Sequence, residues 1–173
     1  MRKPFVIVLI AFLQFLPVPR STSQTLPEKS PANSVLRIVT AQKQVTYSVS
    51  ELKSLPHITI SVKNVHTDAQ ETYSGVRVAD LFAKLGTSLG KEMRGKAMAN
   101  YVLAVGSDGY KVIFSIAEID PEFHPGEIIV ADEMNGKPLD ANSGPFKLVA
   151  TEDKRPARWV RNLVSLELKS PDQ

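Results

Sequence analysis

Apolar and polar residues alternate along HITISVKNV (57–65): Ile58, Ile60 and Val62 fall on one side, Thr59, Ser61 and Lys63 on the other. That is the two-residue period of a half-buried strand. Upstream, the β-branched runs VLRIVT (35–40) and VTYSV (45–49) flank a polar turn and predict a hairpin. Ser48 and Glu51 stand at capping-box spacing, so a short helix is predicted to begin there and to stop at Pro56. The period then lengthens. In YSGVRVADLFAKLG (73–86), Val78, Leu81, Phe82 and Leu85 share one helical face, and Gly86 is the stop signal.

Residues 91–100 are polar and small, the pattern of a loop or a ragged helix. YVLAVGSDGYKVIFS (101–115) reads as two strands about the turn Ser107, Asp108, Gly109, with the glycine supplying a positive φ. SIAEID (115–120) suits one helical turn before Pro121, and GEIIVADEMNGKPLD (126–140) gives a buried strand followed by a tight turn at Asn135 and Gly136. GPFKLVAT (144–151) and LVSLELK (163–169) supply the last strands. There is no internal repeat, low-complexity block or second domain, so the pattern predicts one strand-rich α+β unit.

Composition changes this picture mainly at the start of the chain. The 173 residues suffice to bury a substantial core. Arg2 and Lys3 precede an apolar run (4–18), and Ser21, Thr22 and Ser23 follow it, the order of a secretory signal peptide. The run falls short of the ~20 residues of a membrane-crossing helix. Residues 1–23 are therefore expected to be a cleaved leader, and 24–33 a flexible lead into a domain spanning 34–170. Of the 21 Lys and Arg residues, Arg2, Lys3 and Arg20 lie in the leader, and the rest match the 18 acidic residues. The mature domain is then formally neutral, and nucleic-acid binding loses its main support. With no cysteine, the chain offers no disulfide, thiolate nucleophile, iron–sulfur ligand or lipidated cysteine anchor. The leader lacks an Arg-Arg pair, which points to general secretion and a periplasmic or secreted location.

Four stretches, YSGVRVADLFAKLG, SDGYKVIFSIAEID, DEMNGKPLDANSGPFKLVA and DKRPARWVRNLVSLEL, follow in this order. Together they resemble the oxidoreductase molybdopterin-binding domain of sulfite-oxidase-type enzymes, over residues 45–168. The chain looks most like short, exported, stand-alone versions of that domain. The resemblance implies the fold: α+β, a strand-rich mixed sheet or barrel-like unit with short helices. In the enzymes it also implies an oxo-molybdenum centre held by a pyranopterin dithiolene and one protein cysteine. The corresponding stretch here, SVKNVHTDAQETYSGV (61–76), has no cysteine. A site of this type uses a soft thiolate, so molybdenum is not expected, whereas molybdopterin stays a candidate cofactor. Molybdenum cofactors are inserted in the cytoplasm, and export of an unfolded chain argues in the same direction.

The resemblance also implies an anion cradle. The basic residue before Trp, a Lys in the enzymes that reaches the pterin phosphate, corresponds to Arg158, whose forked donors suit phosphate. Pro156 and Ala157 fall where the enzymes use backbone donors, and Pro156 has no N–H to give. A His before Gly and an Arg in the next strand correspond to Ser143 and Lys147. The expected cofactor-binding set is therefore Arg158 as principal anion contact, Lys147, Ser143, Lys154 and Arg155 in support, and His66 at the former metal end. No catalytic or metal-binding residue is assigned.

Each of these residues has a plainer reading. Arg155, Arg158 and Arg161 also read as a solvated face beside a core Trp159. His66 and Asp68 also read as a strand-end turn. His57 and His124 receive no role, and the three histidines show no zinc-binding spacing. Glu51, Glu118, Asp120 and Glu122 form no carboxylate pair across a cleft. Ser107-Asp108-Gly109 lacks the GxSxG nucleophile turn, and Tyr110 reads as a strand residue. Three functions stay open. The leading one is an exported binder of a small anionic ligand or pterin. The others are a molybdenum-cofactor oxidoreductase with a non-cysteine ligand or partner subunit, and a cofactor-free module that binds an envelope protein.

Overall fold

Residues 35–65 and 67–171 are described by the structure, a computed structural model. The expected leader, the lead (24–33) and His66 lie outside the described residues.

The strands of the described residues form two five-stranded sheets. In the first, β1 (Val35–Val39) and β2 (Gln44–Ser48) make the predicted hairpin. The last strand, β10 (Leu163–Lys169), lies parallel to β1, and the hairpin of β5 (Tyr101–Gly106) and β6 (Lys111–Ser115) pairs beyond it. One parallel pair among antiparallel ones makes this sheet mixed. The second sheet runs β3 (Ile58–Lys63), β4 (Gln70–Arg77), β7 (Ile128–Met134) and β8 (Lys137–Pro138), with β9 (Lys147–Ala150) also against β7. Among the described residues three short α-helices, α1 (Val49–Lys53), α2 (Val78–Lys84) and α3 (Ile116–Ile119), complete an α+β fold.

The helix ends follow their sequence signals. Ser48 with Glu51, and Ser115 with Glu118, close capping boxes at the starts of α1 and α3. Gly86, at φ 87°, ends α2; its N–H bonds to Ala83 O and that of Thr87 to Phe82 O, the Schellman pattern. Residues 90–100 hold two 3-10 turns, Gly90–Glu92 and Gly95–Ala99.

β7 explains the layering. Its Ile128 and Val130 belong to the main core, which gathers residues of both sheets and of α1 and α2. Ile129 and Ala131 belong to a second cluster with Ile60, Val62, Tyr73 and Val149, on the opposite face of the second sheet. A strand covered on both faces reads as a continuous apolar run, here IIVA.

β4 differs from the helical reading of 73–86, because helix begins only at Val78 and the preceding eight residues are strand. QETYSGVR carries little apolar alternation; ladders to β3 and β7 on its two edges hold it extended. Gly75 is required there, since a Cβ would stand 2.1 Å from Val130 O. The β4–β7 register jumps at this point, Ser74 to Glu133 and then Gly75 to Ala131, which leaves Asp132 as a bulged residue.

Candidate functional site

The segment that carries Lys154, Arg155, Arg158 and Arg161 follows β9 and leads into β10. Val160 O accepts from Leu148 N, Ser143 O from Asn162 N, and Phe146 O from Leu163 N, so residues 160–163 lie alongside 143–148. Within it the consecutive residues Arg158 and Trp159 make separate sets of contacts, and the single expected cradle becomes two environments.

Trp159 packs on the second cluster. Its ring meets that of Tyr73 edge-on, centroids 5.9 Å apart at 84°, and its indole N–H donates to Ala150 O at 2.9 Å. Into this corner β9 delivers Lys147. The ammonium lies 4.6 Å from the Tyr73 ring centre and 5.3 Å from that of Trp159, and donates to the Tyr73 hydroxyl at 2.9 Å. Tyr73 in turn donates to Glu71 at 2.8 Å, and Asn64 donates to the other Glu71 oxygen at 2.6 Å. Burial pushes the Lys147 pKa down; Glu71 and Asp140 partly offset this, and Arg161 adds to it. Burial and Glu71 hold the Tyr73 phenol well above its ordinary value. Among the described residues no carboxylate lies within ion-pair distance of the Lys147 ammonium.

Arg158, expected to be the principal anion contact, spends its donors on this chain's own carboxylates. Nε donates to Asp153 Oδ2 at 3.1 Å, Nη2 donates to Asp153 Oδ1, and Nη1 donates to Glu118 Oε1 at 2.8 Å. The guanidinium lies 4.3 Å over the Phe114 ring. The Asp153 bonds, ahead of the opposing effect of burial, raise its already high pKa. Burial alone would raise the Glu118 carboxyl, but the Arg158 and Ser115 bonds outweigh it and hold the pKa down. Beside this clamp lies a cavity of about 100 Å³, bordered by Glu118, His124, Glu127, Glu152, Asp153 and Arg158. Four of its nine lining residues are acidic, beside the one arginine.

The remaining expected residues divide accordingly. Ser143 is half-buried four residues before Lys147, in a turn closed by its N–H to Asp140. Lys154 and Arg155 are exposed and have no ion-pair partner among the described residues. Arg161 is exposed and close enough to Lys147 to act on it electrostatically. Asp68 is exposed and paired with Lys63 at 2.9 Å.

Three residues in these contacts had no signal in the sequence pattern. Tyr73 was hidden within a stretch read as helical. His57 and Asp132 meet at 3.2 Å, with His57 Nδ1 2.7 Å from Leu55 O. Asp132 is buried, and its Oδ1 has no partner among the described residues. Only the bulge brings that carboxylate to His57, and a bulge has no signature in a single sequence.

Two five-stranded sheets, one of them mixed, with a basic, Trp-bearing segment lying along β9 define the class of α+β domain to which the chain belongs. The chain matches the family described as oxidoreductase molybdopterin binding domain over residues 23–173, and it belongs to that family. Among solved structures it is similar to the sulfane dehydrogenase SoxCD from Paracoccus pantotrophus, with a TM-score of 0.60 and 16% identity. That similarity covers 80% of this chain and 39% of the other, so this chain spans about two fifths of its length. No curated protein sequence matches the chain.

The family's cofactor can be set against these residues. The sequence contains no thiol, and no three His, Asp or Glu side chains converge on a metal-sized position among the described residues. The donor set does not fit a thiolate-ligated metal. Of the expected cations, Lys147 has the Tyr73 hydroxyl as its hydrogen-bond partner, and Arg158 is bonded to Asp153 and Glu118.

Proposed function

We propose that this domain is an exported binder of a small anionic ligand, phosphate-bearing or pterin, and that it works without thiolate-ligated molybdenum. The observation that carries this reading is the Lys147 ammonium, half-buried against two aromatic rings with a phenol as its hydrogen-bond partner. An ammonium has three donors. Tyr73 takes one, leaving two for an incoming oxyanion, and charge-assisted bonds of that kind are among the stronger ones. Such an anion would restore the stabilisation that burial removes from the cation. Arg161 acts on the same cation electrostatically, Ser143 lies in the turn four residues before it in sequence, and Lys154 and Arg155 add exposed positive charge. The leader in the sequence supports a periplasmic or secreted setting.

The test is made on the protein produced in its own host. Native mass spectrometry and metal analysis read what is bound, and the fluorescence of the only tryptophan reads the site directly. The expected result is a bound pterin or phosphate-bearing mass without molybdenum, and a saturable fluorescence change on adding pyrophosphate. Stoichiometric molybdenum would overturn the metal half of the reading in favour of an oxidoreductase with another ligand or a partner subunit. A flat titration with nothing bound would overturn the binding half in favour of a module that contacts an envelope protein.

A further inference from the structure

A second cavity, of about 250 Å³, lies between the β1–β2 turn, the C-terminal end of α2 and the segment entering β5. It shares no lining residue with the Lys147 or Arg158 environments. Its polar rim includes Gln42, Thr87, Ser88 and Asn100, and Leu85 and Ile116, both buried, belong to its apolar lining.

The chemistry of this lining is selective by what it offers. None of its side chains is charged and none is aromatic. A phosphate, carboxylate or ammonium would find no counter-charge in the lining, and a flat heterocycle would find no ring to stack on. Lys43, whose ammonium lies near Gly86, stands outside the lining. What remains is a set of hydroxyl and carboxamide groups over an apolar base. The side chains of Gln42, Thr87, Ser88 and Asn100 have no hydrogen-bond partner among the described residues.

The backbone beneath the rim is fixed. The Thr87 N–H is held by Phe82 O at 3.1 Å in the α2 cap, the Asn100 N–H by Ala97 O at 3.1 Å, and Asn100 O accepts from Ile116 N at 2.9 Å. The backbone that carries Thr87 and Asn100 is thus held before a ligand arrives, and the ordering cost falls on their side chains. The volume is below the ~300–1,000 Å³ of pockets for larger organic ligands and suits a molecule about the size of one sugar ring.

We propose that this cleft is a binding site for a small, uncharged, hydroxyl-rich molecule such as a monosaccharide or cyclic polyol. It is independent of the anion site at Lys147.

The experiment is an amide-resolved NMR titration of the protein with glucose, myo-inositol and glucose 6-phosphate. Saturable shifts are expected at Gly86, Thr87, Ser88 and Asn100 with at least one neutral probe, in the millimolar range. Asn100→Ala and the exposed Gln42→Ala should each weaken binding about tenfold at most, and Ala97→Leu should abolish it. Spectra elsewhere should stay unchanged, and Lys147→Met should leave the titration intact. Shifts that fail to saturate with both neutral probes would overturn the proposal. So would binding by glucose 6-phosphate alone, which would assign recognition to Lys43, or full affinity in both polar variants.

Discussion

Glu118 accepts a hydrogen bond from Arg158 Nη1 at 2.8 Å across 40 positions of sequence, tying the cap of α3 to the segment between β9 and β10. The same carboxylate caps α3 through Ser115 N at 2.8 Å. Arg158 is thus a cross-link between elements, with Asp153 as its second partner. Arg158→Ala leaves two carboxylates beside a cavity that already holds Glu127 and Glu152. The clamp is partly exposed, which screens it, so a loss of about 1–2 kcal/mol is expected by urea unfolding. Affinity for pyrophosphate should change little; a tenfold loss would return Arg158 to the role of principal anion contact.

The same clamp sets an acid response. The folded-state pKa of Glu118 lies below its ordinary value of 4.5, so its stabilising contribution is fully present above that value. It is lost as pH falls through the depressed folded pKa. Glu118→Gln removes this group from the titration. Its stability against pH, followed by circular dichroism from neutral pH downward, should fall less steeply on the acid side than that of the unaltered protein.

Gly75 gives the sharpest structural prediction. A Cβ at this position would stand 2.1 Å from Val130 O and 2.6 Å from Ala131 Cα, both backbone atoms that cannot swing aside. Gly75→Ala should therefore cost about 3 kcal/mol or more, or prevent folding. Because Asp132 is the bulged residue opposite, the variant should also disturb the His57–Asp132 contact, visible as a shift of the His57 ring resonances. A stable variant with unchanged His57 resonances would contradict the bulge geometry.

Most strand positions along the chain were legible because alternation, turn glycines and capping boxes are local signals. Ser48 with Glu51, Ser115 with Glu118, and the turns at Gly109 and Gly136 all act within a few residues of themselves. β4 was not legible, since its stability comes from two neighbouring ladders and its own residues are polar. The candidate site was legible in part. Lys147 was chosen through resemblance, yet its aromatic corner depends on Tyr73, 74 positions away. Arg158 was chosen by its place before Trp159. Nothing local announced that Asp153 and Glu118 would occupy its donors, because one of those partners comes from a different sheet connection.

Lys147→Met separates the cation's role in binding from its effect on stability. The side chains are of similar length, so the Tyr73–Trp159 corner stays filled while the charge is removed. The folded pKa of Lys147 is lowered by burial from its ordinary 10.5, so folding disfavours the protonated form. The cost is present below the folded pKa and is relieved as pH rises from there toward 10.5. The unaltered protein should therefore gain stability across that alkaline window from this residue, and the Met variant should lack that increment. At neutral pH the variant should melt at the same temperature or higher. Its Trp159 fluorescence response to pyrophosphate should nevertheless weaken by about tenfold or more, as expected when a charge-assisted bond is lost. A lower melting temperature with unchanged pyrophosphate affinity would make Lys147 a structural residue and remove the basis for an anion site on this face.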